Sequence, residues 1–194
     1  MRGQFLPRLS LALLALITGL IFTAPAHAAV DMFIKIEGVD GESTDSGHRD
    51  EIDVLAWSWG MTRGGAAKGA SRRPPGTELS DLSLTKYLDK ATPGLLQACA
   101  NGKVLPKATL TVRKAGSRGL EYLVIELTGV MVTAVDTGGS GGDDRLTEEI
   151  RLNFTEIKMT YTPQRADGSP GAAQEFGWNV REGRSTTATP TRAR

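Results

Sequence analysis

The long apolar runs of this chain change face partway along, and that constrains its fold more than any other feature. In the run Glu51 to Trp59, Ile52 and Val54 occupy even positions, whereas Leu55, Trp57 and Trp59 occupy odd ones. The run Leu146 to Tyr161 does the same: Ile150, Leu152 and Phe154 share one parity, and Ile157, Met159 and Tyr161 take the other. A β-strand alternates its faces with a period of two, so a switch of parity requires a bulge or a bend. The switches predict irregularities near Val54-Leu55 and near Thr155-Glu156. Bends of this kind let a sheet curl shut.

The remaining segments fit the same architecture. Met32 to Ile36 reads as a strand and Gly38-Val39-Asp40-Gly41 as a turn, followed by a polar loop over 42–50. Leu79 to Leu88 reads as one strand. A short helix follows, with Thr92 at the N-cap, Pro93 at the first helical position and Gly102 just past the end. Leu95, Leu96 and Cys99 share one helical face, which makes Cys99 a packed thiol rather than a nucleophile. Lys107 to Arg113 alternates cleanly. Leu120 to Val135 is nearly continuously apolar, which suits a strand covered on both faces and bent at Gly129. Phe176, Trp178 and Val180 alternate in a last strand. Together these elements predict a mainly β chain: a β-barrel or closed sandwich of about seven or more strands with one short flanking helix. The barrel domain is expected over residues 29–182 and a polar, disordered tail over 183–194.

Met1 to Ala28 reads as a secretory signal peptide. Arg2 and Arg8 give a positive start, Leu9 to Phe22 is apolar, and Ala26-His27-Ala28 is a small-x-small cleavage site. The apolar run is shorter than the ~20 residues that span a bilayer, so no membrane association is expected once the leader is removed. Cleavage after Ala28 takes away two arginines and no acid, so the formal net charge drops from +1 to −1. His48 becomes the only imidazole. A charge this close to zero offers no global attraction to nucleic acid. One cysteine excludes an internal disulfide framework and a Cys-rich zinc module.

Candidate chemistry is sparse. Gly138 to Gly142 contains Gly-x-Ser-x-Gly, but a nucleophile elbow needs a strained strand-to-helix turn, and the segment after Ser140 alternates like a strand. The same run with Asp143 matches only one copy of a calcium-binding repeat that functions in stacked arrays. His48, Asp50, Glu51 and Asp53 read as a solvated loop entering a strand. Asn153-Phe154-Thr155 is a glycosylation sequon inside a predicted strand. Neither a catalytic residue, a cofactor nor a metal site is assigned. Two surface features remain. Residues 60–77 form a long Gly- and Pro-rich gap carrying Arg63, Lys68, Arg72 and Arg73. Asp143, Asp144, Glu148 and Glu149 form an acidic patch read as a solvated hairpin face. Opposed basic and acidic surfaces suit a contact between copies of the chain, and Arg63, Lys68, Arg72, Arg73, Asp143 and Asp144 are the candidate contact residues.

Several blocks carry a resemblance. Ala29-Val30-Asp31-Met32-Phe33-Ile34-Lys35-Ile36 and Glu51 to Gly60 resemble the Hcp family, the tube protein of bacterial type VI secretion. So do Leu84 to Lys90, Leu110 to Gly116, Thr137 to Leu146 and Phe176 to Val180. The resemblance implies a β-barrel with a flanking helix, hexameric rings, and rings stacked into a hollow tube that is released and carries effectors. Its partners would be other copies of the chain, a spike protein, the sheath and small effector proteins. It implies no catalytic residues, and it places the gap over 60–77 against the next ring. The signal-like leader departs from the family, whose members are loaded from the cytoplasm. The leader leaves a second reading open, in which an exported Hcp-like oligomeric module acts outside the contractile machine.

Overall fold

The computed structural model describes residues 30–64, 76–115, 119–142 and 144–187. In chain order these form β1 (Val30–Ile36), β2 (Ile52–Ser58), β3 (Met61–Arg63), β4 (Thr77–Leu79), β5 (Leu82–Tyr87), α1 (Thr92–Asn101), β6 (Val104–Lys114), β7 (Glu121–Thr137), β8 (Thr147–Asn153), β9 (Glu156–Tyr161), β10 (Gln174–Asn179) and β11 (Arg184–Ser185). The wall order is β7-β6-β1-β2-β5-β8, and β8 pairs back on β7, so six antiparallel strands close a barrel. Beyond β7 the sheet continues through β9, β10 and β11 as a flange. β3 and β4 make a separate two-stranded ribbon. Inward residues of the six wall strands, among them Ile34, Ile52, Leu84, Leu110, Ile125 and Ile150, fill the interior.

The expected parity switches mark where the wall bends. In β2, Val54 faces Lys86 and Ala56 faces Thr85, so Leu55 is an extra residue and forms the bulge. The second switch is sharper than expected. It divides Leu146 to Tyr161 into β8 in the barrel and β9 in the flange, both running along β7. Three adjacent strands change face along one line. Leu105 and Val130 are paired and buried on one side of it, and Ala108 and Leu127 on the other. On β8 and β9 the buried positions move from Phe154 to Ile157. At the crease Gly129 takes φ 62°, and a Cβ there would overlap Thr155 Oγ1. Only glycine satisfies both the left-handed backbone and that close approach. Because of the crease, β7 buries alternate residues on each side of Gly129 instead of being covered on both faces.

Other expectations change in detail. Leu79 to Leu88 divides into β4 and β5 because Ser80 turns toward Gly60: its hydroxyl accepts the Gly60 N–H at 2.9 Å, and its own N–H reaches Gly60 O at 2.9 Å. Helix α1 caps on Ala91, and Thr92 is its first residue. Thr92 fails as a cap because its hydroxyl donates to Glu148 Oε1 at 2.9 Å instead. Pro93 lies in the first turn, and Gly102, at φ 59°, ends the helix as expected, with its N–H bonded to Cys99 O. Ala91, Leu95 and Ala98 face the core, Cys99 packs beside them half-buried, and Leu96 is exposed. Arg184 and Ser185 pair with Asn179 and Trp178, while residues 188–194 of the expected tail lie outside the described residues, as does the leader over 1–28.

Candidate functional site: the two ends of the barrel wall

β5 links the two candidate contact regions. At its Leu82 end it stands beside Ser58 of β2, where the β3–β4 ribbon emerges. At its Tyr87 end it pairs with Thr147, where the β7–β8 connection forms the tip of a hairpin. Five residue steps at ~3.3 Å each separate these ends by about 17 Å. Arg63 is exposed at the far end of β3, opposite Thr77. Asp144 is exposed in the tip. Lys68, Arg72, Arg73 and Asp143 lie outside the described residues.

The ribbon is thin. Its pairs are Met61–Leu79, Thr62–Glu78 and Arg63–Thr77, extended by the Gly64 N–H to Gly76 O bond at 3.1 Å. Met61, Thr62, Arg63 and Glu78 are exposed. A lone two-stranded ribbon is at best marginal in water, so one that projects from a barrel gains most from a surface to lie against.

The tip is anchored at its root. The Arg145 guanidinium lies 3.8 Å from the centre of the Tyr87 ring, and the Leu88 N–H donates to Leu146 O at 2.9 Å. Beneath these contacts sits a charge cluster that the reading of the acidic patch did not anticipate. Glu148 is buried, not solvated, and the wall pairs it with fully buried Lys86. Lys86 Nζ donates to Glu148 Oε1 at 2.7 Å, Asp89 Oδ1 at 2.8 Å and Tyr87 O at 2.8 Å. Asp89 Oδ1 also accepts the Ala91 N–H at 2.9 Å. The signal was present in the sequence: Lys86 has the inward parity of Leu82 and Leu84, and Glu148 that of Ile150 and Leu152. Opposite charges on the inward faces of two strands call for each other. Glu149, one residue on, points outward and accepts the Ser83 hydroxyl at 2.8 Å. That bond, with Arg151, holds its carboxyl below the usual range.

His48 also departs from its expected solvated place. Phe33 points out of the barrel, opposite in parity to Ile34 and Ile36, and loop 42–50 folds over it. The buried His48 ring stacks on Phe33 at 4.3 Å between centroids, and the Arg113 guanidinium lies 5.0 Å from the same ring. His48 Nδ1 bonds Glu51 Oε2 at 2.9 Å, while Nε2 faces Glu121 Oε1 at 3.4 Å outside hydrogen-bond geometry. Arg113 donates to Asp45 and Asp31. Its hydrogen bond to Asp45 holds that carboxyl below its usual range and pushes the guanidinium up. This is a small core outside the barrel that fastens the loop. Asp50 is exposed on that loop, so the sequence cluster is not brought together as a ligand set. Among the described residues no group of three or more His, Cys, Asp or Glu side chains is arranged to hold a metal ion. A depression of about 300 Å³ between α1 and the start of β6 is lined by Val39, Gly94, Gln97, Ala98 and Asn101 with Gly38, Lys103 and Leu105, a set without a nucleophile–base pair.

Comparison with known proteins agrees with this architecture. Residues 33–161 match the family model described as type VI secretion system effector, Hcp. The chain is 53% identical over 157 residues to protein hcp1 of Pseudomonas aeruginosa, an alignment covering 79% of this chain and 97% of that protein. The crystal structure of Hcp1 from Salmonella typhimurium superposes with a TM-score of 0.68 at 32% identity, covering 81% of this chain and 99% of the other. A type VI secretion system effector from Yersinia pestis superposes with a TM-score of 0.63 at 39% identity, covering 77% and 100%. The closed six-strand barrel, its flange and its short helix are therefore those of a type VI secretion protein, and the chain belongs to the Hcp family.

Proposed function

We propose that this chain is a structural subunit whose copies form hexameric rings, and that the rings stack head to tail into a hollow tube able to carry small effector proteins. One observation carries the reading: the ribbon that ends in Arg63 and the tip that holds Asp144 leave the wall at opposite ends of β5. A heterologous contact repeated about an axis closes into a ring when the rotation allows, and the same polarity along the axis builds a filament. Arg63, with Lys68, Arg72 and Arg73 of the same gap, supplies the basic partner, and Asp143 and Asp144 the acidic one. The reading assigns no catalytic residue and no cofactor. Spike and sheath proteins of the type VI system are the further partners.

Sedimentation of protein beginning at Ala29 tests it. The expected result is a hexamer at low ionic strength, with higher species that dissociate as salt rises. Reversing all four basic charges should leave the barrel folded and weaken stacking. A monomer at every concentration and salt would overturn the assembly role.

The leader over Met1 to Ala28 supports a second reading, an exported Hcp-like oligomeric module working outside the contractile machine. N-terminal sequencing of the protein from periplasm and medium separates the two. Ala29 as the first residue supports export by the general route, and an intact Met1 in the cytoplasm supports loading by the machine.

A further inference from the structure

The cluster at the root of the tip is a poor stabiliser. Lys86, Glu148 and Asp89 together carry one excess negative charge, with side chains no more than 7% exposed. Glu148 Oε2 is buried and has no hydrogen-bond partner among the described residues. Charges withdrawn from water recover their desolvation cost only when every polar atom is satisfied, and apolar replacements of such clusters are often neutral or stabilising. A cluster of this kind in a barrel with ample apolar core needs a reason other than stability.

Its position supplies one. Lys86 ties together four pieces of chain at this end of the barrel. They are the last turn of β5 through Tyr87 O, the 88–91 turn through Asp89, the first residue of α1 through Thr92, and the root of the tip through Glu148. Thr92 closes the circuit by donating to the same Glu148 oxygen. Directly above, Arg145 rests on Tyr87 and Leu146 accepts from Leu88, the two residues that follow Lys86. The tip's geometry therefore depends on where Lys86 holds Tyr87 and Leu88. Hydrophobic packing would fill the same volume without fixing these directions, because it is non-directional.

We propose that Lys86, Glu148 and Asp89 are positioning residues. They hold the β7–β8 tip in the shape that docks against the next copy, at some expense in stability. This rests on the assembly reading above and adds which residues preorganise its acidic half.

The test is the variant Lys86→Met/Asp89→Asn/Glu148→Leu, which removes all three charges at similar volume and keeps an acceptor for the Ala91 N–H. Three measurements apply to protein beginning at Ala29: the urea midpoint, hydrogen exchange of the Leu88 amide under high-salt monomeric conditions, and self-association by sedimentation. The expected result is a urea midpoint equal to or above that of the parent, faster exchange at Leu88, and association weakened by about 2- to 30-fold, the scale on which residues outside a contact modulate coupling. A triple variant that associates like the parent overturns the proposal. So does one that fails to fold or melts far below the parent, because the cluster would then serve stability. If the parent itself does not associate, the assembly reading fails first, and the two failures are thereby distinguished.

Discussion

Replacing Gly129 by alanine tests whether the crease, rather than general strand propensity, shapes the barrel. Gly129 sits at φ 62°, where an L side chain costs about 1–2 kcal/mol. The added methyl would overlap Thr155 Oγ1 and lie 3.1 Å from Thr155 Cγ2. Thr155 must then turn away, and its hydroxyl loses the bond to Thr128 O, now 2.9 Å long and worth about 1 kcal/mol. Alanine also restricts the unfolded chain, which returns about 0.4–1 kcal/mol. The net loss is about 2 kcal/mol. With a urea slope of about 2 kcal/mol/M, the midpoint falls by about 1 M. The measurement belongs in high salt, where charge-mediated association is screened. Thr155→Ala in the same background removes both the overlap and the bond. The double variant should therefore lose less than the sum of the singles by about 1 kcal/mol. A Gly129→Ala midpoint within about 0.2 M of the parent, or strict additivity with Thr155→Ala, would refute the steric argument.

Three further outcomes are expected. Lys86→Met alone leaves the buried Glu148 and Asp89 carboxylates without their shared cation and should cost about 3–5 kcal/mol in urea denaturation, unlike the charge-free triple variant. Asp50 holds φ 60°, where an L side chain costs about 1–2 kcal/mol and glycine none, while glycine loosens the unfolded chain by about 0.4–1 kcal/mol, so Asp50→Gly should raise stability by at most about 1 kcal/mol, read as a higher urea midpoint; its exposed pair with Lys90 offsets little. Asp45 has a carboxyl pKa lowered by Arg113, so the tie it gives loop 42–50 is complete above its unfolded value of about 3.9 and is lost as pH falls through the lower folded value. Amides of that loop should exchange faster as pH drops through that window, after correction for the intrinsic rate, and Asp45→Asn should exchange faster at neutral pH and lose the dependence.

Period-two patterning made most of the wall legible, because a half-buried strand writes its burial directly into its alternation. The Leu55 bulge and the Gly129 bend were readable for the same reason: a broken alternation has few structural solutions. What stayed hidden depended on contacts distant in sequence. The division of Leu79 to Leu88 is set by Gly60, and the fate of the Thr92 hydroxyl by Glu148 on another strand. His48 reads as solvated because nothing local reports that its loop will fold onto an outward phenylalanine. Lys86 and Glu148 were within reach. Each occupies an inward position in an alternating strand, and reading every residue on that face, rather than only the apolar ones, would have paired them.

The closure of the wall has a consequence for any assembly built from this chain. Each wall strand lies between two others within its own copy, so the main-chain amides of the barrel are engaged at home. Copies that associated would meet as finished bodies and would not lend wall strands to one another as amyloid-like polymers do. The closed wall then offers no strand edge, and the free edges that remain are those of β11 and of the β3–β4 ribbon. An assembly made this way would come apart into intact pieces, because separating the copies would break no strand pairing of the wall.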